Sequence, residues 1–295
     1  MRLGQFHSAS DAEPWAGIVH ESGDVINIGA AAAQAGIDLP TQLVDILQEW
    51  EWETKLELVE TYAVENDVGI EDPSSSVQTA PILSPEKVVA CGLNYRDHAE
   101  EGGHDIPESP VLFAMFPRSL IGPDEDIEWN SSLTQKVDYE AELVVVIGSE
   151  AKEVDPDEAW DAIAGYTVGN DVSARDLQHG DGQWVRGKSL DRFAPIGPEL
   201  VTRDEVDDPH SLEIWTEVNG ERVQSSSTDE LIFGVNELVS FCSQAFTLSP
   251  GDVLFTGTPP GVGVYREPPI LLDDGDEVSV GIEELGVLRN SCKVN

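Results

Sequence analysis

The sequence predicts a β-rich α+β fold, a mixed β-roll carrying a small N-terminal α/β unit. Three observations predict it. Short apolar runs bounded by glycine and proline outnumber helical patterns. Strands and helices do not alternate regularly, which argues against a TIM barrel or a doubly wound sheet. No internal repeat is present.

Taken in order, Leu3 to Phe6 and Trp15 to His20 read as strands, Ser22-Gly23-Asp24 as a turn, and Val25 to Ile28 as a third strand. Helices come next, with Leu43, Ile46 and Leu47 at the i, i+3, i+4 spacing of one face. The polar run Glu71-Asp72-Pro73-Ser74-Ser75-Ser76 reads as a connection, so the expected division is residues 1–75 and 76–295. Beyond it, strands are expected at Val88 to Gly92, Leu143 to Gly148, Tyr166 to Asn170, Leu212 to Val218, Val253 to Thr256 and Glu277 to Ile282. Asp155 as N-cap, Pro156 at N1 and Glu158 at N3 predict a helix running through Ala159, Trp160 and Ile163. A second helix is expected from about Val235 to Phe246, where Leu238, Phe241, Cys242 and Ala245 fall at i, i+3, i+4, i+7, which places Cys242 in the core.

Charge excludes one function class at once. Asp and Glu number 57 against 16 Lys and Arg, a net charge of −41, so a basic surface for nucleic-acid phosphates is ruled out. With 40% apolar residues in clear patterns, the acids must decorate a folded surface. Such a surface repels itself in dilute buffer and is relieved at about molar salt, where the Debye length shrinks to roughly 3 Å, so a halophilic, salt-accumulating cytoplasm is inferred. Cys91, Cys242 and Cys292 are odd in number and far apart, which suggests reduced thiols and no zinc site. No apolar run reaches the ~20 residues of a membrane helix, so a cytoplasmic protein with no membrane partner is expected.

Chemistry is concentrated in a few segments. Glu140 and Glu142 introduce the apolar run Leu143-Val144-Val145-Val146-Ile147, and at alternate positions of a strand both carboxylates share a face. If that face is buried, a positive charge belongs between them. Asp171 ends the next apolar segment, and three oxygen donors without His or Cys suit a hard cation such as Mg²⁺, Mn²⁺ or Ca²⁺. An exposed strand end with solvated acids is the other reading. His98 and Glu101, at i and i+3, can meet as an imidazole held by a carboxylate, or form an ordinary surface pair. The neighbouring Glu100 leaves the identity of that carboxylate open. Gly102-Gly103 can hinge a lid or make a plain turn. Arg175 and Gln178 can share a face to bind a substrate carboxylate, and Lys188 is conspicuous where Lys is scarce. The glycine-rich run from Thr256 to Gly263 lacks P-loop and dinucleotide signatures; its hydroxyl and NH groups could hold a small carboxylate instead.

In this order the segments resemble the fumarylacetoacetate hydrolase family: Gly92-Leu93-Asn94-Tyr95 with Asp97-His98, Asp138-Tyr139-Glu140-Ala141-Glu142-Leu143, Gly169-Asn170-Asp171-Val172-Ser173-Ala174-Arg175-Asp176, Gln183-Trp184 with Gly187-Lys188-Ser189, and Thr256-Gly257-Thr258-Pro259. The resemblance spans roughly residues 80 to 290, and the short N-terminal unit is similar to one often found in the family. It implies a twisted, mixed β-roll of sandwich type, assembled as a homodimer and holding Mg²⁺ or Mn²⁺. It places Glu140, Glu142 and Asp171 as metal ligands, His98 and Glu101 as a water-activating dyad, Lys188 as a catalytic lysine, and Arg175, Gln178 and Thr256 as substrate contacts. The expected substrate is a small 2-oxo acid, undergoing acylpyruvate-type carbon–carbon hydrolysis or oxaloacetate decarboxylation. Isomerisation or hydration of a 2-hydroxy-dienoate, dehydration of a 2-keto-3-deoxy sugar acid, and a non-catalytic structural metal site are the alternatives.

Overall fold

The computed structural model describes residues 1–8 and 11–295. Its centre is the strand Ala141–Ile147, buried along its whole length. Leu143, Val145 and Ile147 enter one hydrophobic core while Val144 and Val146 enter another on the opposite face. A strand covered on both sides needs no polar alternation, which is why this segment is a continuous apolar run.

The strand lies between Ile163–Asn170 and Val253–Phe255, both antiparallel to it. From Ile163–Asn170 the sheet continues through Ala194–Thr202 into the N-terminal strands Arg2–Ser8, Asp11–Val19 and Val25–Asn27. On the other side, Val253–Phe255 pairs in parallel with Val88–Gly92, which pairs antiparallel with Val111–Met115. Parallel and antiparallel ladders therefore mix within a sheet of 12 strands. The helices Ile28–Ala35 and Trp52–Asn66 contribute Ile28, Ala31, Leu56 and Val59 to the core that takes Val144 and Val146, so N-terminal helices cover one face of the central sheet. The other face packs against a five-stranded sheet containing Glu213–Val218 and Glu277–Ile282, and against the helix Val235–Ala245. The fold is thus the sheet-rich α+β class expected.

Two helical expectations need correcting. The segment after Asp155 makes a single 3₁₀ turn, Ala159–Ala162, and Ile163 already begins a strand. The local start is present, with the Asp155 amide donating to Glu158 Oε2 at 3.1 Å, but sheet pairing claims the chain before an α-helix can propagate. In Val235–Ala245 the buried stripe is Val235, Leu238, Val239 and Cys242; Phe241 is 40% exposed and Ala245 is exposed. Cys242 is in the core as expected, but the buried face is rotated away from Phe241 and Ala245. All three cysteines are free and buried.

Candidate active site

Glu140, Glu142 and Asp171 are brought together at the end of the central strands, with ligand oxygens all within 4.8 Å of one another and all three residues buried. The register explains this. Ala141 pairs with Asn170, so Glu140 lies opposite Asp171, and the Asp171 amide donates to the Glu140 carbonyl at 2.9 Å. Glu142 is fixed by the Gly257 amide, which donates to its Oε2 at 2.7 Å.

Two buried cations enter the cluster. Lys188 Nζ lies 2.7 Å from both Glu140 Oε2 and Asp171 Oδ2, and Arg175 Nη1 lies 2.7 Å from Glu140 Oε1. Arg175 Nε also donates to Asp138 Oδ2 at 2.8 Å, and Nη1 to Gln178 Oε1 at 3.0 Å. Lys188 reaches the acids because the helix Val185–Lys188 packs closely on Arg175–Asp181; a Cβ at Gly187 would sit 2.8 Å from the Gln178 nitrogen. An ammonium thus partly fills the space among the acids, where the sequence suggested a metal cation alone.

The charge balance decides whether a metal also fits. Four buried carboxylates, Asp138, Glu140, Glu142 and Asp171, face two buried cations, which leaves two negative charges uncompensated. Burial opposes ionisation of Glu140, yet Lys188 and Arg175 hold it down to about 2. Burial and the neighbouring Asp171 and Glu140 push Glu142 well above the ordinary carboxylate range, and burial lifts Asp171 to about 7 despite Lys188. Asp171 Oδ1 is buried without a hydrogen-bond partner. Two unneutralised carboxylates, an orphan oxygen and an all-oxygen donor set fit a hard divalent cation held by Glu140, Glu142 and Asp171.

These residues floor a cavity of about 280 Å³ that His98, Arg175, Gln178 and Lys188 also line. His98 lies on the helix Arg96–Gly102, and its Nδ1 is 3.2 Å from Glu101 Oε2. Glu101 Oε1 accepts from the Gly261 amide at 2.9 Å, so Glu101, and not Glu100, is the imidazole's partner. Arg175 Nη2 is buried without a partner. Cys91 also lines the cavity, but burial and Glu142 push its thiol up to about 12, which removes it as a nucleophile at neutral pH.

Two expectations fail here. Thr256 does not line the cavity: its hydroxyl donates to the Leu143 carbonyl at 2.8 Å, and Thr258 lines the wall instead. The NH groups of the glycine-rich run do bind carboxylates, but those of the protein itself. Gly257 serves Glu142, Gly261 serves Glu101, and Gly263 and Val264 donate to Asp138 at 2.7 and 3.0 Å. Asp138 carries no role in the sequence reading beyond its place in a motif. Fully buried, it anchors Arg175 and the glycine-rich loop together. Its position two residues before Glu140, and four before Glu142, was the available signal.

The family model for the fumarylacetoacetate (FAA) hydrolase C-terminal region matches residues 87–293. The chain belongs to this family. Among its relatives, a mitochondrial oxaloacetate tautomerase of Bos taurus is 43% identical over 98% of this chain and 91% of its own length. Among solved structures, a fumarylacetoacetate hydrolase from psychrophilic Exiguobacterium antarcticum superposes with a TM-score of 0.83 at 35% identity, covering 100% of both chains. A 5-carboxymethyl-2-hydroxymuconate delta-isomerase from Mycobacterium smegmatis gives 0.77 at 36% identity, covering 100% of this chain and 99% of the other. Fumarylacetoacetate hydrolase family members of this overall shape thus carry names of tautomerases, hydrolases and isomerases, all acting on small molecules. Among the described residues no helix is long and apolar enough to cross a membrane.

Proposed function

We propose that this fumarylacetoacetate hydrolase family member is a divalent-metal-dependent enzyme interconverting the enol and keto forms of a 2-oxo acid, with oxaloacetate as substrate. The carrying observation is that one small cavity is lined by the acidic trio and by His98, whose Nδ1 is held from behind by Glu101. The tautomerase names of relatives more than 40% identical support the choice of oxaloacetate.

Mg²⁺ or Mn²⁺ held by Glu140, Glu142 and Asp171 would supply Lewis acidity at the C1 carboxylate and C2 oxygen of the acid. Glu101 engages Nδ1 of His98, leaving Nε2 as the ring nitrogen that exchanges a proton at C3. Lys188, an ammonium held by Glu140 and Asp171, stabilises negative charge at the C2 oxygen; in ketonisation the enol O–H bond breaks with its proton passing to solvent water, and His98 delivers a proton to form the C3–H bond. Arg175 Nη2 and the Gln178 amide orient the carboxylate end. Carbon–carbon hydrolysis of an acylpyruvate is the second reading, favoured by the same dyad, which could activate water towards C4. The same reading takes the protein as a cytoplasmic homodimer, although the bovine relative's name places that protein in mitochondria.

The test is loss of enol absorbance with purified protein, with and without Mg²⁺ or Mn²⁺, on oxaloacetate, acylpyruvates, hydroxymuconate-type dienoates and deoxy-keto sugar acids. Metal-dependent ketonisation of oxaloacetate, reduced about 10²- to 10⁴-fold by His98→Ala, is expected. Oxaloacetate turnover indifferent to both chelator and His98→Ala would refute the proposal.

A further inference from the structure

The cavity's rim differs from the rest of the surface. Although 57 of the 295 residues are acidic, no Asp or Glu other than the trio lines the cavity among the described residues, whereas half of the chain's six histidines do. His98 is accounted for by Glu101. His104 and His179 are not. Both are exposed while the trio, Lys188 and Arg175 are buried, so the two imidazoles stand at the mouth and the charged cluster at the floor. They come from opposite sides in the chain. His179 succeeds Arg175 and Gln178 at i+4 on the Arg175–Asp181 helix, so one helix face presents guanidinium, amide and imidazole in succession. His104 lies just past the helix Arg96–Gly102 and comes within 3.4 Å of the Tyr265 hydroxyl through its Nε2.

We infer that His104 and His179 bind the distal carboxylate of the substrate, which makes this member selective for dicarboxylic 2-oxo acids over monocarboxylic acylpyruvates of similar length. The inference rests on the 2-oxo acid reading above and deepens it. The cavity, about 280 Å³, lies at the small end of ligand sites, and His104 and His179 line it together with the trio, so a small acid anchored on the floor shares one enclosure with both imidazoles. Its second carboxylate then meets N–H donors and no opposing acid. On a surface of this charge a bare dianion would otherwise be repelled from the entrance.

The test compares oxaloacetate with acetopyruvate, in which a methyl ketone replaces the distal carboxylate, in the same Mg²⁺ buffer. The readout is the ratio of their kcat/KM values for the wild type and for His104→Leu and His179→Leu. Each Leu variant should lower that ratio about tenfold through KM for oxaloacetate, the order carried by one hydrogen bond to a charged group. Gln in place of Leu restores a donor and should recover part of the ratio. Both sites are exposed, and melting curves establish that the variants fold. An unchanged ratio in both Leu variants would overturn the inference while leaving the 2-oxo acid reading intact. A wild type inert towards both substrates would overturn that reading and this inference with it.

Discussion

Lowering the pH should weaken binding of the proposed divalent cation, and the acidic trio sets the size of the effect. Burial holds the Asp171 carboxyl at about 7, so in the metal-free protein it is mostly ionised at pH 8.5 and mostly protonated at pH 5.5. An acid whose folded value is raised destabilises the metal-free fold progressively as pH rises from its unfolded value near 3.8 to about 7. A bound cation removes that penalty but must displace the proton at low pH. Between pH 8.5 and 5.5 the apparent Mg²⁺ affinity should therefore fall roughly thirtyfold through Asp171 alone, equivalent to about 2 kcal/mol. Glu142, also raised, acts in the same direction, so thirtyfold is a lower bound. For a chain of this size about 2 kcal/mol moves the melting temperature by about 4 °C. Calorimetric melting with and without Mg²⁺, well above both apparent Kd values, measures the difference. Titration calorimetry at pH 5.5 should show at least one proton released per ion, Asp171 supplying one and Glu142 adding to it. A Mg²⁺-induced shift equal at both pH values, with no proton release, would refute the charge balance on which the site rests.

Asp138→Asn should cost about 1–3 kcal/mol in urea unfolding, because an amide cannot accept all the bonds that the carboxylate takes from Arg175 Nε and from the Gly263 and Val264 amides, while Arg175 keeps Glu140. Adding Arg175→Met should recover part of this loss, and a double variant worse than the sum would contradict the pairing. Gly92→Ala should destabilise by about 1–3 kcal/mol and slow turnover, since its Cβ would lie 2.1 Å from Trp184, whose ring packs edge-on against Phe113 beneath Lys188. Wild-type activity with an unchanged melting temperature would remove Gly92 as the reason Trp184 fits. With a net charge of −41, raising KCl from about 0.1 M to about 2 M should increase the melting temperature by several degrees; a flat or falling curve would count against the halophilic reading.

Periodicity alone located the central strand, the helix at Val235–Ala245 and the strand Glu277–Ile282 to within a residue or two, because burial on two faces or one leaves a direct mark on residue order. The 3₁₀ turn after Asp155 escaped it, since a capping pattern reports only the first turn and the sheet governs the residues beyond. Phe241 escaped it for a related reason: spacing defines a helical face but not the side that is covered.

For the site, residue order determined the donor chemistry. Glu140 and Glu142 had to share a face at alternate strand positions, and His98 could find a carboxylate one turn away, because both depend only on distances along the backbone, whereas Asp171 joins them through strand register. Only the tertiary structure decided what supplies the charge and which groups remain unspent. Lys188 and Arg175 arrive from helices more than 30 residues beyond Glu140 and neutralise part of the trio. Asp138 gathers Arg175 and the loop at Gly263 into one cluster, and Thr256 gives its hydroxyl to the backbone. Such pairings depend on strand register and on close helix contacts such as the one at Gly187. Electrostatic energy falls off through space and not along the chain, so no local pattern can encode which of many acids will meet which few bases.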